Sequence, residues 1–339
     1  MGVVELVEAR GAPAQLCVIR DGTVVVDHAF RCDPSSLFWI FSASKPLVAL
    51  LVHQLAEHSA LGLDEPVAAR WPAFGRYGKA GITVRHVLQH RAGIPYARGP
   101  LGDALAMADR ERSVRNVEDA RPRWAPGAFP AYHYLTYGTV LGELVRRVTG
   151  EPVARRLRGA VLEPLGLRDV HLGLTDRQRR RGVPIRGAGP VGPATALFLN
   201  LPATRRAVVP AGGVSATARD LARLYQALLD GRVLQPATLA EAVRPSSDDE
   251  IDRVLHLPIR WSQGFQLGGP FASDQQAYRP MGRRSRRETF GHNGSNCCVA
   301  WADPSRRLVF VYLSALLPSG LDRARHVSDV SDAVLGAFG

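Results

Sequence analysis

Hydrophobic and polar positions first fall into a pattern at residues 15–31, QLCVIRDGTVVVDHAFR. Two β-rich runs there flank Asp21-Gly22. That dipeptide tolerates the left-handed backbone of a type I′ turn, so the stretch predicts a tight hairpin. Pro46 to Glu57 is apolar nearly all round, which predicts a helix buried in the middle of a domain. Ser42 and Lys45 fall at its opening turn, where Pro46 is tolerated because early N–H groups have no intrahelical partner. Thr136 to Thr149 is amphipathic: Tyr137, Val140, Leu141, Leu144, Val145 and Val148 share one face, and Gly150 ends it. Residues 183–203, VPIRGAGPVGPATALFLNLPA, are rich in glycine and proline and read as a loop. Thr217 with Asp220 marks a helix start that runs into DLARLYQALLDG. Residues 296–315, NCCVAWADPSRRLVFVYLSA, read strand, Asp-Pro turn, strand, and a final helix is expected near 326–337.

Strands at both ends therefore enclose a helical middle, which predicts an α+β fold. One antiparallel sheet is built from both chain termini and covered by helices, with a helical lobe inserted. Residues 1–60 and 205–339, approximately, form the α/β lobe, and residues 61–204 the mainly helical one, within a single catalytic unit of 339 residues.

Composition narrows the setting. Charged residues make up 22% and hydrophobic ones 46%, as in ordinary globular enzymes. No apolar run approaches the ~20 residues of a membrane helix. The start, MGVVELVEARGAPAQL, is acidic where a signal peptide is basic, so a cytoplasmic protein without membrane contact is expected. Cys17, Cys32, Cys297 and Cys298 form neither a disulfide framework nor a CxxC metal motif, and read as reduced thiols. The net charge of +12 is put down to arginine-rich codon usage from a GC-rich genome. Neither arginine run, 179–181 or 283–287, is interleaved with aromatics, so no nucleic-acid partner is expected. Arg283, Arg284, Arg286 and Arg287 could rim a site mouth and attract an anionic substrate, or form a solvated charged loop.

Candidate chemistry begins with an imbalance among the cations. Of 43 basic residues only Lys45 and Lys79 are lysine. Lys45 stands three residues after Ser42, a spacing that brings two side chains on a helix to about 5–6 Å. A partly buried lysine beside a helix N-terminus has its charged form disfavoured, and a neutral amine can take the serine proton. Arginine cannot do this. The second piece is Tyr132-His133-Tyr134, after Pro126-Gly127; a loop tyrosine near an amine can relay a proton. The third is Phe290-Gly291-His292-Asn293-Gly294 on a strand edge, where glycine lets a substrate approach the backbone. The N–H of Ser295 would then serve as an oxyanion donor beside that of Ser42. Taken alone, His292 reads as a structural histidine.

Together these pieces resemble the class C β-lactamase and penicillin-binding-protein superfamily, and more closely its family VIII carboxylesterase branch. ITVRHVLQHRAGIP at 82–95, AGGVSATARDLARL at 211–224 and FGHNGSNCCVAWADP at 290–304 extend the similarity over roughly residues 12–336. The resemblance implies a β-lactamase/transpeptidase-like fold and an acyl-serine intermediate on Ser42, helped by Lys45 and Tyr132. It implies neither a metal nor an organic cofactor. His292, Asn293, Gly294, Ser295 and Tyr134 are the implied substrate and oxyanion residues. There are departures. Tyr134 replaces the Asn of the family's Tyr-(Ala/Ser)-Asn, His292-Asn293-Gly294 replaces Lys-Thr-Gly, and Asn296 replaces a glycine. Weak or absent β-lactamase activity is therefore expected. A carboxylesterase-like hydrolase acting on small or medium acyl esters is the leading expectation. The alternative is a transacylase passing the acyl group to an amine or alcohol in natural-product biosynthesis, and a non-catalytic ligand or anion binder ranks last.

Overall fold

The computed structural model describes residues 2–248, 250–270, 279–319 and 322–339. Its strands in chain order are β1 (Ala14–Arg20), β2 (Thr23–Phe30), β3 (Phe38–Trp39), β4 (Val170–Leu172), β5 (Arg186–Gly187), β6 (Val214–Ala216), β7 (Gln266–Leu267), β8 (Phe290–Gly294), β9 (Cys298–Asp303), β10 (Leu308–Ser314) and β11 (Leu316–Leu317). Six of them form one sheet in the order β2-β1-β10-β9-β8-β7, antiparallel throughout. The expected sheet from both termini is present, with β1 from one end of the chain paired to β10 from the other.

Apart from the exposed edge strand β2, the sheet is buried on both faces, and alternation in its strands shows how. In β10, Leu308, Phe310 and Tyr312 enter one core with Val7, Val327, Val330 and Val334 of the terminal helices Val3–Glu8 and Asp322–Phe338. Val309, Val311 and Leu313 enter the other, with Leu221 and Leu224 of helix Ala218–Leu229 and Leu47 to Val52 of helix Lys45–Glu57. Period-two patterning thus feeds two helical layers from one strand.

Local signals act as expected at several joints. Asp21 (φ 50°) and Gly22 (φ 77°) make the left-handed turn between β1 and β2. Gly150 (φ 73°) closes helix Thr136–Thr149. The Thr217 hydroxyl accepts the N–H of Asp220 at the start of helix Ala218–Leu229. The stretch 183–203 is not a loop. It holds β5, helix Gly192–Asn200 and the start of helix Pro202–Arg206. Pro193 and Pro202 sit in the first turns of these helices, where they cost no hydrogen bond, and ATALFLN between them is good helix former. The last helix begins at Asp322, four residues before its expected start.

Candidate active site

Ser42 sits where β3 hands over to the central helix. A 3₁₀ turn, Phe41–Ser44, comes between them, and Phe41 takes φ 50°, a conformation that disfavours a bulky residue. The Ser44 hydroxyl accepts the N–H of Val214, which ties the turn to β6. Lys45 then opens helix Lys45–Glu57 and is essentially without exposed surface. Its Nζ lies 3.3 Å from Ser42 Oγ and donates to the Ala211 carbonyl at 3.1 Å. Gly138 makes that second contact possible. A Cβ on Gly138 would lie 2.2 Å from the Ala211 nitrogen, so only glycine lets helix Thr136–Thr149 pack against the segment that holds the lysine. Burial pushes the Lys45 pKa well below 10.5, with no acidic side chain among the described residues opposing it.

Tyr132 arrives from a loop 90 residues away. Its hydroxyl donates to Ser42 Oγ at 2.6 Å, and Lys45 Nζ stands 4.6 Å from its ring centre. The loop is braced by a residue that the sequence reading passed over. Asp252, with no exposed surface, accepts the backbone N–H of Tyr132 at 3.1 Å on Oδ1 and the indole N–H of Trp261 at 3.1 Å on Oδ2. Trp261 in turn stacks on the Tyr132 ring, centroids 5.4 Å apart and planes 8° apart. His90 lies beneath, 4.9 Å from Tyr132 and 4.5 Å from Trp261, and its Nδ1 accepts the N–H of His133. Burial keeps His90 and His133 neutral, His133 down to about 3. Asp252 and Trp261 carry no local motif. His90 does fall inside the family-like stretch 82–95, the one signal that could have drawn attention to it.

The third piece closes the other side. Gly294 ends β8 against the turn before Ser42; a Cβ there would lie 2.1 Å from the Ile40 carbonyl oxygen. Ser295 (φ 47°) and Asn296 (φ 57°) form a two-residue turn into β9, closed by Cys297 N–H to Gly294 O at 3.0 Å. Asparagine is the non-glycine residue that best tolerates this conformation, which accounts for Asn296 in the family's glycine position. Asn293 Nδ2 donates to Asn296 Oδ1 at 3.1 Å, and Asn293 Oδ1 accepts the Asn296 N–H at 3.0 Å. His292 is buried, and its Nδ1 lies 2.7 Å from the Asn293 carbonyl. A carbonyl only accepts, so Nδ1 carries the proton and Nε2 presents a lone pair, which has no partner among the described residues. Burial and the neighbouring Lys45 lower the His292 pKa to about 3.

A cavity of about 790 Å³ opens over these groups. Ser42, Tyr132, Tyr134, His292, Asn293 and Ser295 all line it. Tyr134 is 38% exposed, stacked on Tyr96 and edge-on to Tyr132. Every expected site residue therefore lies on this cavity or, for Lys45 and Gly294, directly behind it. The arginine cluster does not. None of Arg283, Arg284, Arg286 and Arg287 is among the lining residues. Arg283 pairs with Asp329 and Asp332, Arg286 donates to Ser305 and Arg287 pairs with Asp248. The carboxylates they face lie on helix Asp322–Phe338 and in the 248 region, which draws them away from the mouth. The four cysteines are free, and among the described residues no group of three or more His, Cys, Asp or Glu side chains is placed to hold a metal ion.

A serine and a buried lysine on one turn, met by a tyrosine from a distant loop, point to one family, and the family model described as Beta-lactamase matches residues 3–333. The chain belongs to the beta-lactamase family. It is 29% identical over 337 residues to an esterase/beta-lactamase, LipL, of Mycobacterium tuberculosis, covering 86% of this chain and 72% of that protein. It is also 29% identical over 243 residues to the esterase EstB of Burkholderia gladioli, covering 62% of this chain and 61% of EstB. Among solved structures, a penicillin-binding protein homologue from Caulobacter crescentus superposes with TM-score 0.82 at 28% identity, over 98% of this chain and 96% of that one. A family VIII carboxylesterase superposes equally well, TM-score 0.82 over 97% and 96% of the two chains, at 24% identity.

Proposed function

We propose that this protein is a serine carboxylesterase that works through an acyl-enzyme on Ser42. The observation that carries the reading is the convergence on Ser42 Oγ of Lys45 Nζ at 3.3 Å and the Tyr132 hydroxyl at 2.6 Å. The chain's similarity to esterases supports it.

In the acylation step Ser42 Oγ attacks the ester carbonyl and its proton passes to the Lys45–Tyr132 pair. The two groups are close enough to titrate together, so the pair, not one member, is the base. Desolvation holds the Lys45 pKa well below 10.5, which favours the neutral amine that a base needs. The N–H groups of Ser42 and Ser295 hold the oxyanion, the pair returns its proton to the leaving alcohol, and an acyl-serine remains. Water, deprotonated by the same pair, then releases the acid and restores Ser42.

His292 decides what enters. Where related enzymes carry a lysine it offers a neutral acceptor, Nε2, and no positive charge for a substrate carboxylate. With aromatic walls from Tyr96, Tyr132, Tyr134 and Trp261, the cavity suits uncharged acyl esters and disfavours β-lactams. Turnover of p-nitrophenyl acetate and butyrate, alongside a chromogenic cephalosporin, tests this. Ester hydrolysis that Ser42→Ala abolishes, with little cephalosporin cleavage, is expected; ester turnover surviving in Ser42→Ala would refute it. Amines and alcohols added to the same assay separate the second reading. A transacylase forms amide or new ester faster than acid.

A further inference from the structure

Large hydrophobic side chains left in solvent cluster at the mouth of the cavity. Among the described residues the three most exposed are Val191 at 76%, Leu101 at 72% and Leu197 at 69%, and Leu105 follows at 58%, level with Ile251. Leu101 and Leu105 lie one helical turn apart on helix Gly99–Ala106; Leu197 lies on helix Gly192–Asn200, and Val191 caps that helix. These two helices also line the cavity, through Pro100 and Ala104 on the first and Gly192, Thr195 and Phe198 on the second. Leu101 and Leu105 follow Pro100 and Ala104 by one residue, about 100° round the helix, so they flank the opening and do not fill it. A concentrated exposed apolar surface marks a binding face.

The charge of the rim says what binds. Residues 183–206 carry no acidic residue; of their three arginines Arg186 is exposed, Arg206 is exposed but paired with Asp176, and Arg205 is buried. The one acid in residues 93–107 is Asp103, which is buried with its carboxylate turned inward to the N–H groups of Ala97 and Arg98. Exposed leucines beside Arg186, in segments with no solvent-facing carboxylate and on a chain of net charge +12, complement an anionic lipid surface. A second copy seated on this face would close the route to Ser42, whereas a lipid surface delivers substrate along it.

We propose that the Leu101–Leu105–Leu197 rim docks the cavity mouth onto an anionic lipid–water interface, from which a water-insoluble acyl ester enters. The expectation of no membrane contact rested on apolar runs and signal-peptide features, neither of which bears on a surface dock; no helix among the described residues is long and apolar enough to span. The substrate half of the proposal rests on the esterase reading above; the docking half does not.

The test uses the full chain carrying Ser42→Ala, with and without Leu101→Asp and Leu197→Asp, sedimented with vesicles of phosphatidylcholine and phosphatidylglycerol. Binding that falls about tenfold or more in the leucine variant is expected. With the native serine, the rate should rise as a decanoate ester passes its solubility limit, and the leucine substitutions should remove that rise while p-nitrophenyl acetate turnover stays intact. That soluble-ester rate also reports whether the variant folds. Failure of the esterase reading would appear as no turnover of either ester, with vesicle binding unaffected. Wild-type protein that stays in the supernatant, or binds no better than the leucine variant, overturns docking. So does a wild-type dimer that ignores vesicles and falls apart on the leucine substitutions, which would assign the face to a second copy.

Discussion

Asp252→Asn tests how the tyrosine is held. The carboxylate is fully buried and divides its work: Oδ1 accepts the N–H groups of Tyr132 (3.1 Å), Val254 (2.9 Å) and Leu255 (2.9 Å), and Oδ2 accepts Trp261 Nε1 (3.1 Å). An asparagine of the same shape satisfies only one side. With its oxygen on the three backbone groups, its NH₂ faces the indole N–H, donor against donor. Two buried donors are left without acceptors, each at about 1–3 kcal/mol, or about 2–6 kcal/mol together. Unfolding entropy of about 2.1 cal/mol/K per residue gives about 0.7 kcal/mol/K for a chain of 339 residues, so Tm should fall by about 3–9 °C. Trp261 would also lose its anchor and with it the stacked contact on Tyr132. A drift of the hydroxyl by about 1 Å costs about 100-fold in kcat, with a smaller change in KM because the cavity wall remains. Scanning calorimetry and kcat and KM for p-nitrophenyl butyrate read both effects. A variant that melts within a degree of wild type at full kcat would refute the brace.

Other outcomes follow from the same geometry. Lys45→Arg should leave activity near the Ser42→Ala background, and wild-type kcat/KM should rise with pH on an ionisation well below 10.5, read from a rate–pH profile. Because the unfolded chain holds the Lys45 proton up to 10.5 and the folded one does not, Lys45→Met should be more stable than wild type at pH 7. Denaturant titration should find that gap closing as pH approaches 10.5. Lys79→Arg should do the reverse of Lys45→Arg, costing about 2–4 kcal/mol of stability while the activity of folded protein persists; Lys79 Nζ is fully buried on the carbonyls of Arg76, Glu118 and Ala120, a site shaped for a compact ammonium. His133 and His292, neutral in the fold down to about 3, should drain stability as pH falls from 6.5 towards 3, by about 2 kcal/mol each at pH 5; replacing either with glutamine should flatten the melting profile there.

What could be read from the chain was local. Asp21-Gly22, Gly150 and the Thr217 cap act through backbone conformation or bonds within a few residues, so their sequence is their structure. Helix Gly192–Asn200 was misread because its breakers stand at its ends, where they start helices, not in its interior. Composition singled out both lysines, but only packing separates them. Lys45 looks onto a serine and a single carbonyl; Lys79 is enclosed by three carbonyls. The Asp252–Trp261–His90 brace was invisible because it joins segments 120 residues or more from one another along the chain in the case of Tyr132 and Asp252, and no residue in it has a spacing that marks its partner. The arginines at 283–287 show the converse: adjacency to the His292 strand did not place them at the mouth, because Asp248, Asp329 and Asp332 lie elsewhere.

The central claim is that Ser42 carries the acyl group. Intact mass after mixing with p-nitrophenyl butyrate, followed by peptide mapping, tests it most directly. The account predicts one butyryl group per chain, on the peptide containing Ser42, accumulating when Tyr132→Phe slows deacylation and absent from Ser42→Ala. A butyryl group on any other residue, or ester turnover by Ser42→Ala at the wild-type rate, would contradict it.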